Sequence, residues 1–168
     1  MNNFNDLVYT YKHRKIVMYL AKKYFNDPIL LDKVYEHDMD KMYLLLFYEK
    51  KNINKYHSIV SHHHDNEIPK TELDYIEMVL DWESARYTKD DKPLNAFDTL
   101  NKYYPHLKEQ ILPYLEKMGL AYSTLEKDED VKEYANTLTN ITIEDIKKEL
   151  TDYIDYCTKK QKKYTHNK

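Results

Sequence analysis

The residues of this chain that could bind a metal are histidines and aspartates in its first half. In chain order they are His13, His37, Asp38, His57, the histidine run at 62–64, and Asp81. Imidazole nitrogens and carboxylate oxygens bind catalytic divalent ions, and they must converge from separate elements while one position stays open for water. The pattern therefore predicts a metal site assembled from several segments.

The neighbouring His37 and Asp38 can serve two adjacent ions, or one ion from two directions. His13 and Asp81 can complete a first site. His57 and the run at 62–64 offer imidazoles for a second ion about 3.5–4 Å away, the spacing used in two-metal hydrolysis. On a continuous helix, positions 57 and 64 share a face whereas 57 and 62 lie about 140° apart. A helix that continues through the run would thus present His63 or His64 rather than His62.

Each of these residues also has an interpretation without metal. A His-Asp pair occurs often by chance, and three consecutive histidines can form a solvated patch. His13 lies beside Arg14 and Lys15, as a partly exposed helix residue would. Asp81 is harder to explain in this way, because it interrupts an apolar helix face and a buried carboxylate requires partners. The joint pattern is a stronger signal than any of its parts.

The composition predicts an all-α fold in one domain. The chain has 168 residues, with one glycine, five prolines and eighteen tyrosines. A single glycine leaves few positions for tight turns of positive φ, which argues against a hairpin-rich β fold. The length suits one domain with a substantial core. We expect a helical bundle over 1–168, with a metal-binding core at about 5–90 and packing helices at 91–168.

Hydrophobic periodicity and capping residues place the helices. The first is expected at about 5–25, capped by Asn5, and a short second one starts at Asp27 and Pro28. Further helices are expected at about 41–51, which is apolar nearly all round and therefore central in the core, and at about 52–64. Thr71 and Asp74 predict a capping box for a helix to about 87. Shorter helices follow at about 93–104, 105–118, 131–138 and 142–160, with Gly119 just after the second of these.

Charge and cysteine content exclude several function classes. A net charge of −3 gives no overall attraction to nucleic acid or to an anionic membrane. Cys157 is alone, so no intramolecular disulfide can form, and no apolar leader or membrane-spanning stretch is visible. A cytoplasmic protein is expected. One glycine also excludes a glycine-rich phosphate loop, and Cys157 has no histidine near it in sequence that could activate a thiol nucleophile.

The order His13, His37-Asp38, Asp81 resembles the HD superfamily of metal-dependent phosphohydrolases. The likeness covers roughly residues 9–90 and is nearest to a branch of small HD-like proteins with a His-Asp-x-x-Lys motif, a His-x-x-x-Asn-x-His-His motif and an Asp-Trp pair. This chain has Lys41 three residues after Asp38, His57 followed by His63 and His64 at the matching spacing, and Asp81 followed by Trp82. Ser61 departs from the pattern, because it occupies the position of the asparagine.

The resemblance implies an all-helical core with one or two divalent ions, which could be Mn, Fe, Mg, Co, Ni or Zn. It implies hydrolysis of a small-molecule phosphate ester, of which a nucleotide is the favoured kind, with Asp38 in the catalytic centre. Lys41 is then a candidate to hold a phosphate oxygen, or it pairs structurally with Asp40 or Glu36. Asp40 could instead orient a ligand histidine.

Two other functional classes share these residues. The ligand pattern also resembles HD-fold di-iron oxygenases, which cleave C–C or C–P bonds with O₂. A non-enzymatic regulatory or interaction module could keep the fold and the ion without turnover. Arg86, about one turn beyond Asp81, is expected at the surface rather than on a substrate.

Overall fold

A computed structural model describes residues 3–165 of the protein. Over that range the expected all-α class is confirmed, since the described residues form helices and connecting turns without any strand. The helices are α1 (Phe4–Tyr24), α2 (Pro28–Tyr35), α3 (Met39–Leu44), α4 (Lys50–Val60), α5 (Glu72–Thr88), α6 (Ala96–Tyr103), α7 (Lys108–Lys117), α8 (Glu129–Thr137) and α9 (Ile143–Thr165), with a 3₁₀ turn at Pro105–Leu107. Within the described range, none of the helices has the length and apolarity needed to cross a membrane.

Of the three helix starts predicted from capping residues, those of α2 and α5 are confirmed. Asp27 accepts hydrogen bonds from the backbone N–H groups of Ile29 and Leu30, and Pro28 occupies the first turn of α2. Thr71 and Asp74 form the reciprocal capping box of α5. These caps satisfy N–H groups that the helix itself leaves unpaired, and so they fix where α2 and α5 begin.

Helix α1 runs through the middle of the molecule, packing against α5, α2 and α8 and also contacting α3 and α9. Its apolar residues belong to two buried clusters. Leu7 packs with residues of α3, α4 and α9, whereas Ile16 and Leu20 pack with residues of α2, α5, α6, α7 and α8. His13 lies on α1 between Leu7 and Ile16, so the polar candidates enter the fold where the two clusters adjoin.

Three predicted segments differ from the structure. Helix α4 ends at Val60, because the chain turns extended at Ser61, so the run at 62–64 is not helical and the helix-face argument for it does not apply. The segment 41–51 is only partly central: α3 ends at Leu44, and Phe47 and Tyr48 are 77% and 60% exposed. Asn5 does not cap α1. The Asn3 side chain instead donates to the backbone oxygens of Leu45 and Tyr48.

Gly119 ends α7 as predicted. Its φ is +69°, its N–H donates to the Glu116 carbonyl, and the Leu120 N–H donates to the Leu115 carbonyl at 2.8 Å. This pair of bonds is the Schellman arrangement, which closes the last helical turn and favours glycine in the left-handed region. Leu120 is thereby turned back into the main cluster.

Replacing Gly119 tests this turn. No heavy atom lies within 4 Å of an added Cβ, so the cost of Gly119→Ala comes from backbone conformation alone. We expect the free energy of unfolding to fall by about 1 kcal/mol in a denaturant titration. Gly119→Asn is the matched control and should lose less, because asparagine tolerates this conformation better. Equal losses would show that the left-handed φ is not the cause.

Candidate metal centre

The candidate ligands come from five segments and meet at the contact between α1 and α5. His13 lies on α1, Asp81 on α5 and His57 on α4, while His37 and Asp38 occupy the turn between α2 and α3, and His63 and His64 follow α4. His13, His37, Asp38, His57 and His63 are all buried to 96% or more. The predicted ligands are therefore brought together, including pairs that are 68 residues apart in the chain.

The first ligand group surrounds the His13 Nε2 atom. It lies 3.2 Å from His37 Nε2 and 2.7 Å from Asp81 Oδ1, and His37 Nε2 lies 3.3 Å from the same carboxylate oxygen. Asp38 Oδ2 is 3.9 Å from His13 Nε2. One ligand atom each from His13, His37 and Asp81 thus lies within reach of a common ion.

The second group lies on the other oxygen of Asp38. Asp38 Oδ1 is 2.9 Å from His57 Nε2 and 3.3 Å from His63 Nε2, and these two nitrogens are 3.3 Å apart. His64 adds a third imidazole, with a ligand atom within 4.8 Å of those of His57 and His63. Asp38 Oδ1 also lies 3.7 Å from His37 Nε2 of the first group, so the Asp38 carboxylate stands between the two groups.

The turn that carries His37 and Asp38 is held from α1. Asp38 has φ +55°, a left-handed conformation that aspartate tolerates better than most residues. The Arg14 guanidinium donates to the carbonyls of His37 and Tyr35, and it pairs with Glu149 of α9 at 3.2 Å. A buried, charge-assisted clamp on the backbone thus fixes the orientation of both candidate ligands.

Four candidate histidines have their Nδ1 atoms engaged from behind. His37 Nδ1 donates to Glu77 and His57 Nδ1 to Asp40, at 2.8 and 2.7 Å. The Ser84 hydroxyl donates to the Asp81 carbonyl, which leaves its oxygen to accept from His13 Nδ1 at 3.0 Å. His63 Nδ1 has Ser61 Oγ at 2.8 Å and Glu77 Oε1 at 3.2 Å. Engaging Nδ1 in this way fixes the ring and leaves Nε2 directed at the centre, as in metal-bound histidines.

The distances between the candidate ligand atoms suit metal coordination, and some of these atoms lack a hydrogen-bond partner. Two nitrogens that bind one ion at about 2.0–2.1 Å lie roughly 2.8–3.4 Å apart, and the pairs His13–His37 and His57–His63 are separated by 3.2 and 3.3 Å. Asp38 Oδ1 is buried and close to two imidazoles, yet it makes no hydrogen bond; buried His64 Nε2 has no partner either. Unpaired buried polar atoms are costly, and a shared cation would satisfy both.

The charges of the site also suit a cation. Burial opposes ionisation of Asp38, but the charges of His37 and Lys41 hold its pKa well below the usual range. Burial likewise opposes ionisation of Asp81, but close contact with the imidazoles of His13 and His37 keeps its pKa well below the usual range. Burial lowers the pKa of His64 to about 4, so that ring is neutral at pH 7 with a lone pair to offer.

His63 binds a proton more tightly than an ordinary histidine does. Burial works against the charged ring, but the nearby carboxylates of Asp38 and Glu77 raise the pKa of His63 to about 10. An ion that occupied this position would have to displace that proton, because only the neutral imidazole is a ligand.

Some site residues were not visible in the sequence pattern. Glu77 and Ser84, which hold His37 and His13, were missed; they lie four residues before and three after Asp81, so they share its helix face. His62 lies apart from the centre, 57% exposed with Nδ1 3.7 Å from Asp74. The placement of Arg86 at the surface was wrong. It is buried, beside Glu83 and donating to the Glu126 carbonyl.

A cavity of about 710 Å³ opens onto both ligand groups. His13, Asp38, His57, His64 and Asp81 line it, together with Lys41 and Trp82. The Trp82 ring stacks on Tyr104 at a centroid distance of 4.6 Å, which builds one wall from α5 and the end of α6. The C-terminal part of the chain thereby contributes to the cavity as well as to the core.

Comparison with known proteins leaves the site to be judged on its geometry. The chain matches no known family model, no curated protein and no solved structure.

Removing metal tests whether these groups bind an ion. A ligand at a hundredfold excess over its Kd adds about 2.7 kcal/mol to the folded state, and 1 kcal/mol corresponds to roughly 2–4 °C for a chain of this size. We expect chelator to lower the melting temperature by about 5–10 °C, and His37→Ala to abolish most of that difference. His106→Ala, at an exposed histidine paired with Asp65, is the control and should respond as wild type does. Superimposable melting curves with and without chelator would contradict a bound ion.

Glu77 provides a separate test of the site. It contacts two candidate ligands, His37 and His63, but is not among the predicted ligands itself. We expect Glu77→Ala to weaken metal binding by about 10- to 100-fold in equilibrium dialysis, since His37 and His63 lose the acceptor that orients them. Glu77→Gln keeps an acceptor and should lose less. Glu109→Ala removes an equal charge from an exposed position on α7 and should bind metal as wild type does. Unchanged affinity in Glu77→Ala would remove its assigned role.

Proposed function

We propose that this protein is a metal-dependent phosphohydrolase, related to the HD superfamily, that acts on a phosphate ester of a small molecule such as a nucleotide. The observation that carries the proposal is the position of Asp38. Its carboxylate lies between the two histidine groups, and Lys41 Nζ lies 3.0 Å from Oδ2 at the cavity wall. Hydrolysis of a phosphate ester needs these components together: ligands for divalent ions, and a cation beside them for the phosphoryl group.

His13, His37, Asp38 and Asp81 would hold one ion, and Asp38, His57, His63 and His64 a second. A divalent ion bound there would lower the pKa of a coordinated water and neutralise charge on the phosphoryl oxygens. The residues of the chain then have distinct tasks. Glu77, Asp40 and Ser84 keep the imidazoles oriented, and the Arg14 clamp keeps Asp38 in place.

Lys41 is the candidate phosphate contact. Neither of the structural partners considered for it, Asp40 or Glu36, forms an ion pair with it in the described part of the chain. Asp40 holds His57, and Glu36 pairs with Lys160. Burial opposes the charge of Lys41, but Asp38 and Asp81 raise its pKa, so it stays protonated. A protonated amine on the cavity wall can hold a phosphoryl oxygen as a point charge.

The cavity supports a small-molecule substrate. Its volume of about 710 Å³ is within the range of roughly 300–1,000 Å³ that small-molecule sites occupy. The stacked Trp82 and Tyr104 offer an aromatic wall beside the candidate ligands. A planar base could pack on such a wall, which favours a nucleotide.

Paired substitutions test the division of roles between Asp38 and Lys41. We expect Asp38→Ala to lose both bound metal and turnover, since both ligand groups use Asp38. Lys41→Ala should keep the metal and lose about ten- to a hundred-fold in kcat/KM, because one charged contact to phosphate is removed. The measurements are elemental analysis and phosphate release from a nucleotide panel, with His106→Ala as the control.

The outcomes separate the proposed function from its alternatives. Full activity in Asp38→Ala would overturn the phosphohydrolase proposal. Unchanged activity in Lys41→Ala, with Asp38→Ala inactive, would remove only the phosphate contact. Bound iron with O₂ consumption would favour the oxygenase, and bound metal without turnover of any phosphate ester would favour a binding module.

A further inference from the structure

Lysines are concentrated around the cavity that holds the candidate metal centre. Five of them line it: Lys41, Lys50, Lys89, Lys92 and Lys102. Four aspartates also line it. Asp38, which pairs with Lys41, and Asp81 belong to the candidate metal centre, which leaves Asp6 and Asp91 beside the other four lysines. The whole chain has a net charge of −3. The cavity therefore differs in sign from the protein that surrounds it, and it would attract anions.

Several of these lysines are without an acidic partner. Lys41 pairs with Asp38 and Lys50 with Asp6. Among the residues that the structure describes, no carboxylate forms an ion pair with Lys89, Lys92 or Lys102. Lys89 and Lys102 lie over tyrosine rings instead, at 4.4 Å from the Tyr9 centroid and 5.0 Å from the Tyr103 centroid. An aromatic face attracts a cation but does not neutralise it.

Lys89 is held close to the metal centre. It is half-buried at the end of α5, and the Tyr9 ring beneath it stacks on the His13 imidazole at 5.9 Å. Burial lowers the pKa of Lys89, and the like charges of Lys92 and Lys50 lower it further, while the carboxylate of Asp91 offsets part of this effect. These amines are therefore near enough to repel one another. Such an arrangement is stabilised when an anion enters between the charges.

Resting on the proposed function, we propose that Lys89 and Lys92 form a second anion-binding subsite, so that the substrate carries at least one phosphate group besides the scissile one. Lys41 and the candidate ions account for the scissile phosphate. A monophosphate held there would leave Lys89 and Lys92 without a phosphate partner; Asp91 lines the same cavity but forms no ion pair with either lysine in the described part of the chain. A phosphate chain or a bisphosphate would contact both places. The substrate class is thus a polyphosphorylated small molecule.

The experiment compares inorganic phosphate with tripolyphosphate as probes of the metal-loaded protein. Trp82 is the chain's only tryptophan and lines the cavity, so its fluorescence reports binding without a label. Excess Mg²⁺ is kept in the buffer, and bound metal is measured before and after each titration, so that loss of ions to the probe is detected. We expect tripolyphosphate to bind at least about tenfold more tightly than inorganic phosphate.

Matched variants then locate the subsite. Lys89→Gln/Lys92→Gln should weaken tripolyphosphate binding by about ten- to a hundred-fold while inorganic phosphate changes less than about threefold. Lys147→Gln/Lys148→Gln removes the same charge from the exposed face of α9, and its affinities should stay at the wild-type values. Adding salt should reduce the wild-type preference, since exposed amines are screened.

The outcomes distinguish this subsite from the proposed chemistry, because binding is measured without turnover. Wild-type tripolyphosphate affinity in Lys89→Gln/Lys92→Gln would overturn the subsite, as would equal affinity of the wild type for the two probes. An equal loss in the α9 control would show a general charge effect and would also overturn it. If the subsite is found but no phosphate ester is hydrolysed, only the proposed function fails.

Discussion

The arrangement on which this structure depends is the group of polar atoms around Asp38. One oxygen of this buried carboxylate lies 2.9 Å from one imidazole nitrogen and 3.3 Å from another, yet it forms no hydrogen bond. Nearby, nitrogens of the same kind face each other at 3.2 Å. When both rings donate from Nδ1, both of these nitrogens are acceptors and do not satisfy each other, and burying unpaired acceptors is costly. A divalent cation would satisfy them together, and the surrounding helices hold them where it could.

Several helices contribute residues that keep these buried polar atoms in place. Helix α1 supplies both a candidate ligand, His13, and the arginine, Arg14, that clamps the turn carrying His37 and Asp38. Helix α5 supplies Asp81 together with Glu77 and Ser84, which hold histidines from behind. Because α1 and α5 pack side by side, the two helices position both the candidate ligands and the residues that hold those ligands from behind. A rigid outer layer is what allows metal ligands to keep their geometry.

The sequence predicted what depends on local pattern. The all-α class followed from composition and periodicity, and the starts of α2 and α5 followed from capping residues whose bonds are local. The histidines and aspartates were visible because few residue types bind metals. Glu77 was not visible, because a glutamate on a helix resembles a solvated one until its neighbours are known. The end of α4 was also missed, since tertiary contacts rather than propensity decide where a helix of this kind stops.

The apolar run at 41–51 also shows that a sequence pattern does not determine tertiary placement. Its composition predicted a central helix, but Phe47 and Tyr48 face outward, because periodicity cannot say which part of an apolar segment finds a partner. The lysines of the cavity are a second example of placement that the sequence pattern does not determine. Lys41, Lys89 and Lys102 come from three different helices or helix ends, and in the sequence each resembles a solvated surface lysine. Only the fold places them on one cavity, where their charges oppose those of the chain as a whole. The charge that lines the cavity is set by this long-range placement, whereas the candidate metal ligands are of residue types that are recognisable in the sequence.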